Sequence, residues 1–258
     1  MSTGPLSNRL GRLRAESRAA TRSFVRRRTA MFFTFFFPAI LVIIFGALVR
    51  TDGGGLFAEP PGFYVAGYVA VVVLFTPLSR MSSEVARHRE GSRFEKLATT
   101  PLTRAEWLLA QSAVNVGLVI LASVLVLVLV VALTGATVAL SPWLVPLIAA
   151  GTILFCGFGA LLGRLADSRD GAISAANAVG LPLLFLSETF VPLEMLPEWF
   201  HPVVWLSPLT YFARGTRAAT YETSGAGLLA TAEGNLVVLT VLAVAFFVAG
   251  AYAIPRAD

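Results

Sequence analysis

The side chains in this sequence that could do chemistry are few and scattered. There is one cysteine, Cys156, and there are two histidines, His88 and His201. A zinc site needs three or four such ligands together, so metal chemistry is not expected. Of the basic residues only Lys96 is a lysine, and it stands in "RFEKLAT" rather than behind the glycine-rich turn of a phosphate-binding loop. The chain is therefore not expected to hydrolyse ATP through such a loop. Asp167 and Asp170 come nearest to a pair of acids at a membrane boundary, the pattern a lipid-modifying transferase would need. The neighbouring Arg164 and Arg169 offer them plain ion pairing instead. Phe36 in "MFFTFFF", with Tyr64, Tyr68 and Asn177, could line a path for an amphipathic substrate, although lipid contact or helix packing is the commoner role for such residues.

These residues are set in a strongly apolar chain. Of 258 residues 56% are hydrophobic and 14% charged, against about one quarter charged in soluble domains. Apolar runs of about 20 residues mark membrane-crossing helices. Six are expected: 31–49, 62–78, 107–133, 143–162, 172–189 and 236–254. Their interiors hold no acidic, basic or histidine residue, which argues against proton relays and intramembrane hydrolysis. Arg and Lys crowd one side: the arm before the first run, the loop after the second, the loop after the fourth and the C-terminus. By the positive-inside rule both termini are expected in the cytoplasm of a multi-pass plasma-membrane protein. The first apolar run follows an Arg-rich arm, so no cleavable leader is expected.

Within the arm, Leu6, Leu10, Leu13, Ser17, Ala20 and Phe24 recur at helical steps, which predicts a basic amphipathic helix lying in the membrane interface. The domain organisation expected is thus a single membrane domain over 1–258, with an arm at 1–29 and a six-span bundle at 30–256.

Two stretches do not fit a simple bundle. The loop at 82–111 mixes charges with Val85, Phe94 and Leu97, is broken at Gly91, and must leave the helix at Pro101, after Thr99 and Thr100. Thr103 three residues before Glu106 predicts a capping box opening the third span. From pattern alone this loop is either a solvated linker or a docking element anchored by Phe94 and Leu97. The second stretch, 188–212, is apolar yet carries Pro192, Pro197, Pro202 and Pro208. Prolines so spaced limit any helix to one or two turns. Two short helices that enter the outer leaflet and turn back would bury its apolar faces, with Trp199, Trp205 and Tyr211 as interfacial anchors.

Glu90-Gly91, Glu95, Leu97 and Thr100-Pro101 resemble the coupling region of type-2 ATP-binding-cassette (ABC) export permeases. Phe190, Pro192, Leu193, Leu196-Pro197, Trp199 and Pro208-Leu209-Thr210-Tyr211 are similar to the same family's signature near the fifth span. Ser207 stands where that family usually has Asn, and Glu188 where a small residue is common.

The resemblance implies an all-α integral membrane fold. Its parts would be six transmembrane helices, an N-terminal amphipathic interfacial helix, a cytoplasmic coupling helix and re-entrant external helices between spans five and six. It implies a transport subunit, not itself an enzyme, that moves a hydrophobic, amphipathic or lipid-linked substrate outward by alternating access. Its partners would be two copies of a separate ATPase, which bind the ATP and Mg, a second permease copy or relative, and membrane lipids, but no nucleic acid. Glu90, Gly91, Phe94, Glu95, Leu97, Thr100 and Pro101 would couple to the ATPase. Phe190, Pro192, Leu196, Pro197, Trp199, Pro202, Pro208 and Tyr211 would form an external gate. Glu188 would favour cationic cargo at the outer mouth, or else pair with Arg214 or Arg217. A lipid-modifying enzyme and a non-transporting membrane anchor for an ATPase are the competing readings.

Overall fold

The computed structural model describes residues 5–44, 59–191, 193–221 and 227–254; Pro192 of the expected gate lies outside them. Among the described residues the regular structure is entirely helical. Within the described residues each expected apolar run falls largely on a helix; positions 45–49 of the first run lie outside them. Four helices are long and apolar enough to cross a membrane: α3 (Val65–Glu90, continuing a short 3₁₀ turn at Pro61–Tyr64), α5 (Arg104–Thr134), α6 (Leu144–Leu165) and α10 (Ala232–Ala253). The first and fifth runs give shorter helices, α2 (Arg28–Val42) of 15 residues and α7 (Arg169–Phe185) of 17. With 26 residues α3 is about 39 Å long and with 31 residues α5 is about 46 Å, both longer than a hydrocarbon core of about 30 Å.

Helix α3 is the hub. It packs on α5, α6, α7 and α9 (Pro208–Thr220), and most of its residues are buried. Its contact with α6 is made through small residues. A side chain at Gly159 would collide with the Leu78 carbonyl and Met81, and one at Gly163 with the Ser82 backbone and the Val85 side chain. Gly157 of α6 and Gly250 of α10 likewise bring those two backbones into contact. The small-residue spacing of "CGFGALLG" is thus packing, which in lipid comes from close backbone approach.

The N-terminal helix α1 (Pro5–Val25) lies against the first turns of α5. Arg12 donates to Glu106 at 2.7 Å, Gln111 donates to Glu16 at 2.9 Å, and Ala20 and Phe24 are buried. Burial lifts the Glu16 carboxyl above its ordinary value, against the pull of the Gln111 hydrogen bond. The face predicted to be apolar therefore meets protein along its second half, while Leu10 stays exposed. Arg27, in the link to α2, pairs with Glu84 of α3 at 3.3 Å. Burial lowers its guanidinium below the usual value, with Glu84 opposing.

Candidate functional site

At the Arg-rich end of the bundle, α3 ends at Gly91, Ser92 adopts a left-handed backbone (φ 48°), and the six-residue helix α4 (Arg93–Ala98) follows. A left-handed residue just past a helix end is a common stop, and here it reverses the chain sharply. The turn that closes α4 is built by its threonines: Thr99 and Thr100 hydroxyls donate to the Lys96 and Leu97 carbonyls at 2.8 and 2.7 Å. The capping box then starts α5. Thr103 accepts from the Glu106 N–H at 3.2 Å, and the Glu106 carboxylate accepts from the Thr103 N–H at 2.9 Å.

A helix this short cannot hold itself in water. It is held by Phe94, which is 8% exposed and sits in an aromatic box. Its ring lies 5.2 Å from His88 and 5.3 Å, edge-on, from Trp107, and those two rings are 5.2 Å apart. His88 is fixed in turn through Nδ1, which lies 2.9 Å from the Glu84 carbonyl of its own helix. Phe94 was expected to reach outward as an anchor for a partner. It faces inward instead, because α3 and α5 bring an imidazole and an indole together beneath it. Leu97 is half-buried in the same cluster. What α4 turns outward is polar: Arg93, Glu95 and Lys96, with Thr99, Thr100 and Pro101 beyond them, are exposed. Glu90 and Gly91 are exposed as well, although the Glu90 carboxylate is engaged within the chain.

A family model described as "ABC-2 type transporter" matches residues 12–221, most of the chain. The protein belongs to the ABC-2 type transporter family. Two curated relatives, each named "Probable multidrug ABC transporter permease YbhR", come from Escherichia coli strain K12 and Escherichia coli O157:H7. Each is 23% identical over 192 residues, covering 69% of this chain and 49% of the relative. The chain spans about half the length of the curated relatives it matches.

At the opposite end of this ABC-2 family chain, the proline-rich stretch is a series of short helical segments, and proline opens several of them. Pro197 precedes a 3₁₀ turn at Glu198–Phe200, Pro202 lies in the first turn of α8 (His201–Leu206), and Pro208 is the first residue of α9. In a first turn the missing N–H has no intrahelical partner to lose. The segments are tied together locally. His201 Nε2 lies 3.0 Å from the Leu196 carbonyl, Tyr211 donates to the Trp205 carbonyl at 2.9 Å, and Thr210 donates to the Val204 carbonyl at 2.6 Å. Phe190 packs edge-on to Tyr68 at 6.0 Å and fills the space left by Gly67. Trp199 is 76% exposed.

Glu188 is 3% exposed and pairs with Arg214 Nε at 2.5 Å. Arg214 also lies over the Trp205 ring at 4.4 Å. Arg217 donates to the Glu188 carbonyl at 2.7 Å and lies over Phe63 at 3.9 Å. The end of α7, both short helices and the entry to α3 are thus joined through two arginines. Of the two roles considered for Glu188, the geometry has the ion pair.

The residues considered for a substrate path are not brought together. Tyr64 and Tyr68 are buried inside the bundle because α3 is enclosed on all sides. Phe36 is exposed on α2, and Asn177 is exposed on α7, in a row with Ser174, Ala178, Leu181 and Phe185. Sequence reasoning named His88 only as a lone potential metal ligand and Arg169 only as an ion-pair partner for Asp167 and Asp170, and gave Trp107 and Arg89 no role. That Arg89 directly precedes Glu90-Gly91 is the one signal that could have found it.

Proposed function

We propose that this chain is the membrane permease half of an ATP-driven exporter, moved by a separate ATPase that docks on the polar face of α4. The observation that carries the reading is the construction of α4. A helix of six residues is fastened inward by one aromatic ring, at the end of the most enclosed helix of the bundle, and shows charged and hydroxyl side chains outward. Such a face suits a partner groove with a polar rim, and its attachment to α3 suits transmission of force. Family membership and the similarity to proteins named as ABC transporter permeases support the same reading.

In this proposal α2, α3, α5, α6, α7 and α10 are six spans, and α1, α4 and both termini are cytoplasmic in the plasma membrane. Two permease chains, identical or related, work with two ATPase chains that bind ATP and Mg. The open face of α7 with Asn177, and the Phe36 face of α2, turn toward the second permease and border the path. An uncharged lining suits a hydrophobic, amphipathic or lipid-linked cargo. The segments from Phe190 to Tyr211 act as an outer gate, and alternating access follows from rigid-body movement of the two halves.

The docking claim is tested at the exposed charges. Exchanging the signs, Glu95→Arg with Lys96→Glu, leaves the Phe94 box intact and places like charges against a rim evolved for the opposite arrangement. Recovery of the ATPase with tagged permease is expected to fall by about tenfold or more, as rim repulsions cost a few kcal/mol. Unchanged recovery would remove α4 as the docking surface.

A further inference from the structure

The last two residues of α3 hold both ends of the loop between α6 and α7. Arg89 Nη1 donates to three carbonyls at the C-terminus of α6: Gly163 at 3.3 Å, Arg164 at 2.8 Å and Ala166 at 2.8 Å. Next to it, the Glu90 carboxylate accepts the backbone N–H of Arg169, the first residue of α7, at 2.7 Å. Arg169 returns the contact, its Nε donating to Ser83 of α3 at 3.1 Å. The signs are those that helix ends require. A cation meets the carbonyl end of α6 and an anion meets the N–H end of α7. Ser168 completes the start of α7 by accepting from the Gly171 N–H at 3.0 Å.

Helix α7 needs such a fastening more than its neighbours do. One of its faces, from Ser174 through Asn177 and Leu181 to Phe185, is uncovered along its whole length, so it is held from one side by α3 and α6. Its far end leads directly to Glu188 and the arginine latch.

We infer that Arg89 and Glu90 are positioning residues forming a joint between the docking helix and α7, and that Glu90 acts within the chain rather than on the ATPase. A displacement of α4 passes through Gly91 and Ser92 to the end of α3, and the two opposite charges carry it into the α6–α7 loop. Helix α7 then moves with α3, and its outer end moves the proline-rich segments. This rests on the transport reading, since it assigns the route by which that movement travels.

The test is hydrogen exchange on the permease alone and on the permease–ATPase complex in lipid nanodiscs. In the permease alone, Glu90→Ala is expected to speed exchange over residues 168–173 by about tenfold or more, the factor expected for losing one hydrogen bond to a charged group. Glu90→Gln, which keeps an acceptor oxygen, should keep most of the protection. In the complex, ATP should alter exchange along α7 in the wild type and in Glu90→Gln, and much less in Glu90→Ala, while ATPase recovery and ATP hydrolysis remain. Wild-type exchange at 168–173 in Glu90→Ala would overturn the joint, and so would a full ATP response of α7 in that variant. A wild-type complex without any ATP response would instead refute the transport reading, with the exchange of the isolated permease still deciding whether the joint exists.

Discussion

Arg214→Ala is expected to destabilise the proline-rich end of the protein by about 2–3 kcal/mol, because it takes away a guanidinium that pairs with a buried carboxylate. Glu188 is 3% exposed and Arg214 approaches it at 2.5 Å, so little solvent is available to replace the guanidinium. The same change removes the cation lying over Trp205. The double variant Glu188→Gln with Arg214→Ala should recover a large part of the loss, since it also removes the buried charge that Arg214 offsets. Unfolding of the purified variants in nanodiscs checks this, and equal losses in the single and double variants would show that the pair itself matters little. A consequence concerns cargo. A carboxylate neutralised within the chain does not select cations, so under the proposed transport function Glu188→Gln is expected to lower export of cationic and neutral dyes alike, through the stability of the proline-rich segments.

Phe94→Ala is the second large effect. Removing a buried phenyl ring costs about 3–5 kcal/mol, and here the loss falls on a six-residue helix that has little else to hold it. Helix α4 should detach from α3 and α5, with fast exchange over residues 91–102 and loss of ATPase recovery together. Phe94→Leu, which keeps most of the apolar volume, should retain both. If ATPase recovery vanished while α4 stayed protected, Phe94 would be a direct partner contact and the inward aromatic box would not be its role.

These two cases mark the limit of what the sequence made legible. The apolar runs place the spanning helices because every residue of such a run carries the same signal, and a miscounted end changes little. The capping box at Thr103 and Glu106 was readable because both partners lie within one helical turn. The prolines at 197, 202 and 208 were readable as breaks that keep helices short for the same local reason, whereas the structure sets them at helix starts and lets the last helix run 13 residues.

Phe94 was different. An apolar residue in a short amphipathic helix can face its own chain or a partner, and the choice depends on His88 and Trp107, which belong to two other helices. Glu188 and Arg214 are likewise joined only when α9 folds back beside the end of α7, and Glu90 meets Arg169 only when α3 and α7 are adjacent. Tyr64 and Tyr68 could be placed near the outer end of the second run but not on a face, because α3 is enclosed all round and a helix buried on every side has no polar face to orient it. The N-terminal arm shows the same limit. Its periodicity fixed which residues would share a face, whereas the surface it meets, the first turns of α5, needed the tertiary structure.

In the proposed function the bundle is moved by a separate ATPase acting on α4. This is tested most directly by the distance between spin labels on the two permease copies at Trp199→Cys, an exposed site on the outer segments, with Cys156→Ala to leave one thiol per chain. ATP is expected to shift this distance when the ATPase is bound and to leave it unchanged in the permease alone or when the Glu95 and Lys96 charges are exchanged. A shift produced by ATP without the ATPase, or no shift in the fully assembled complex, would contradict the proposed function.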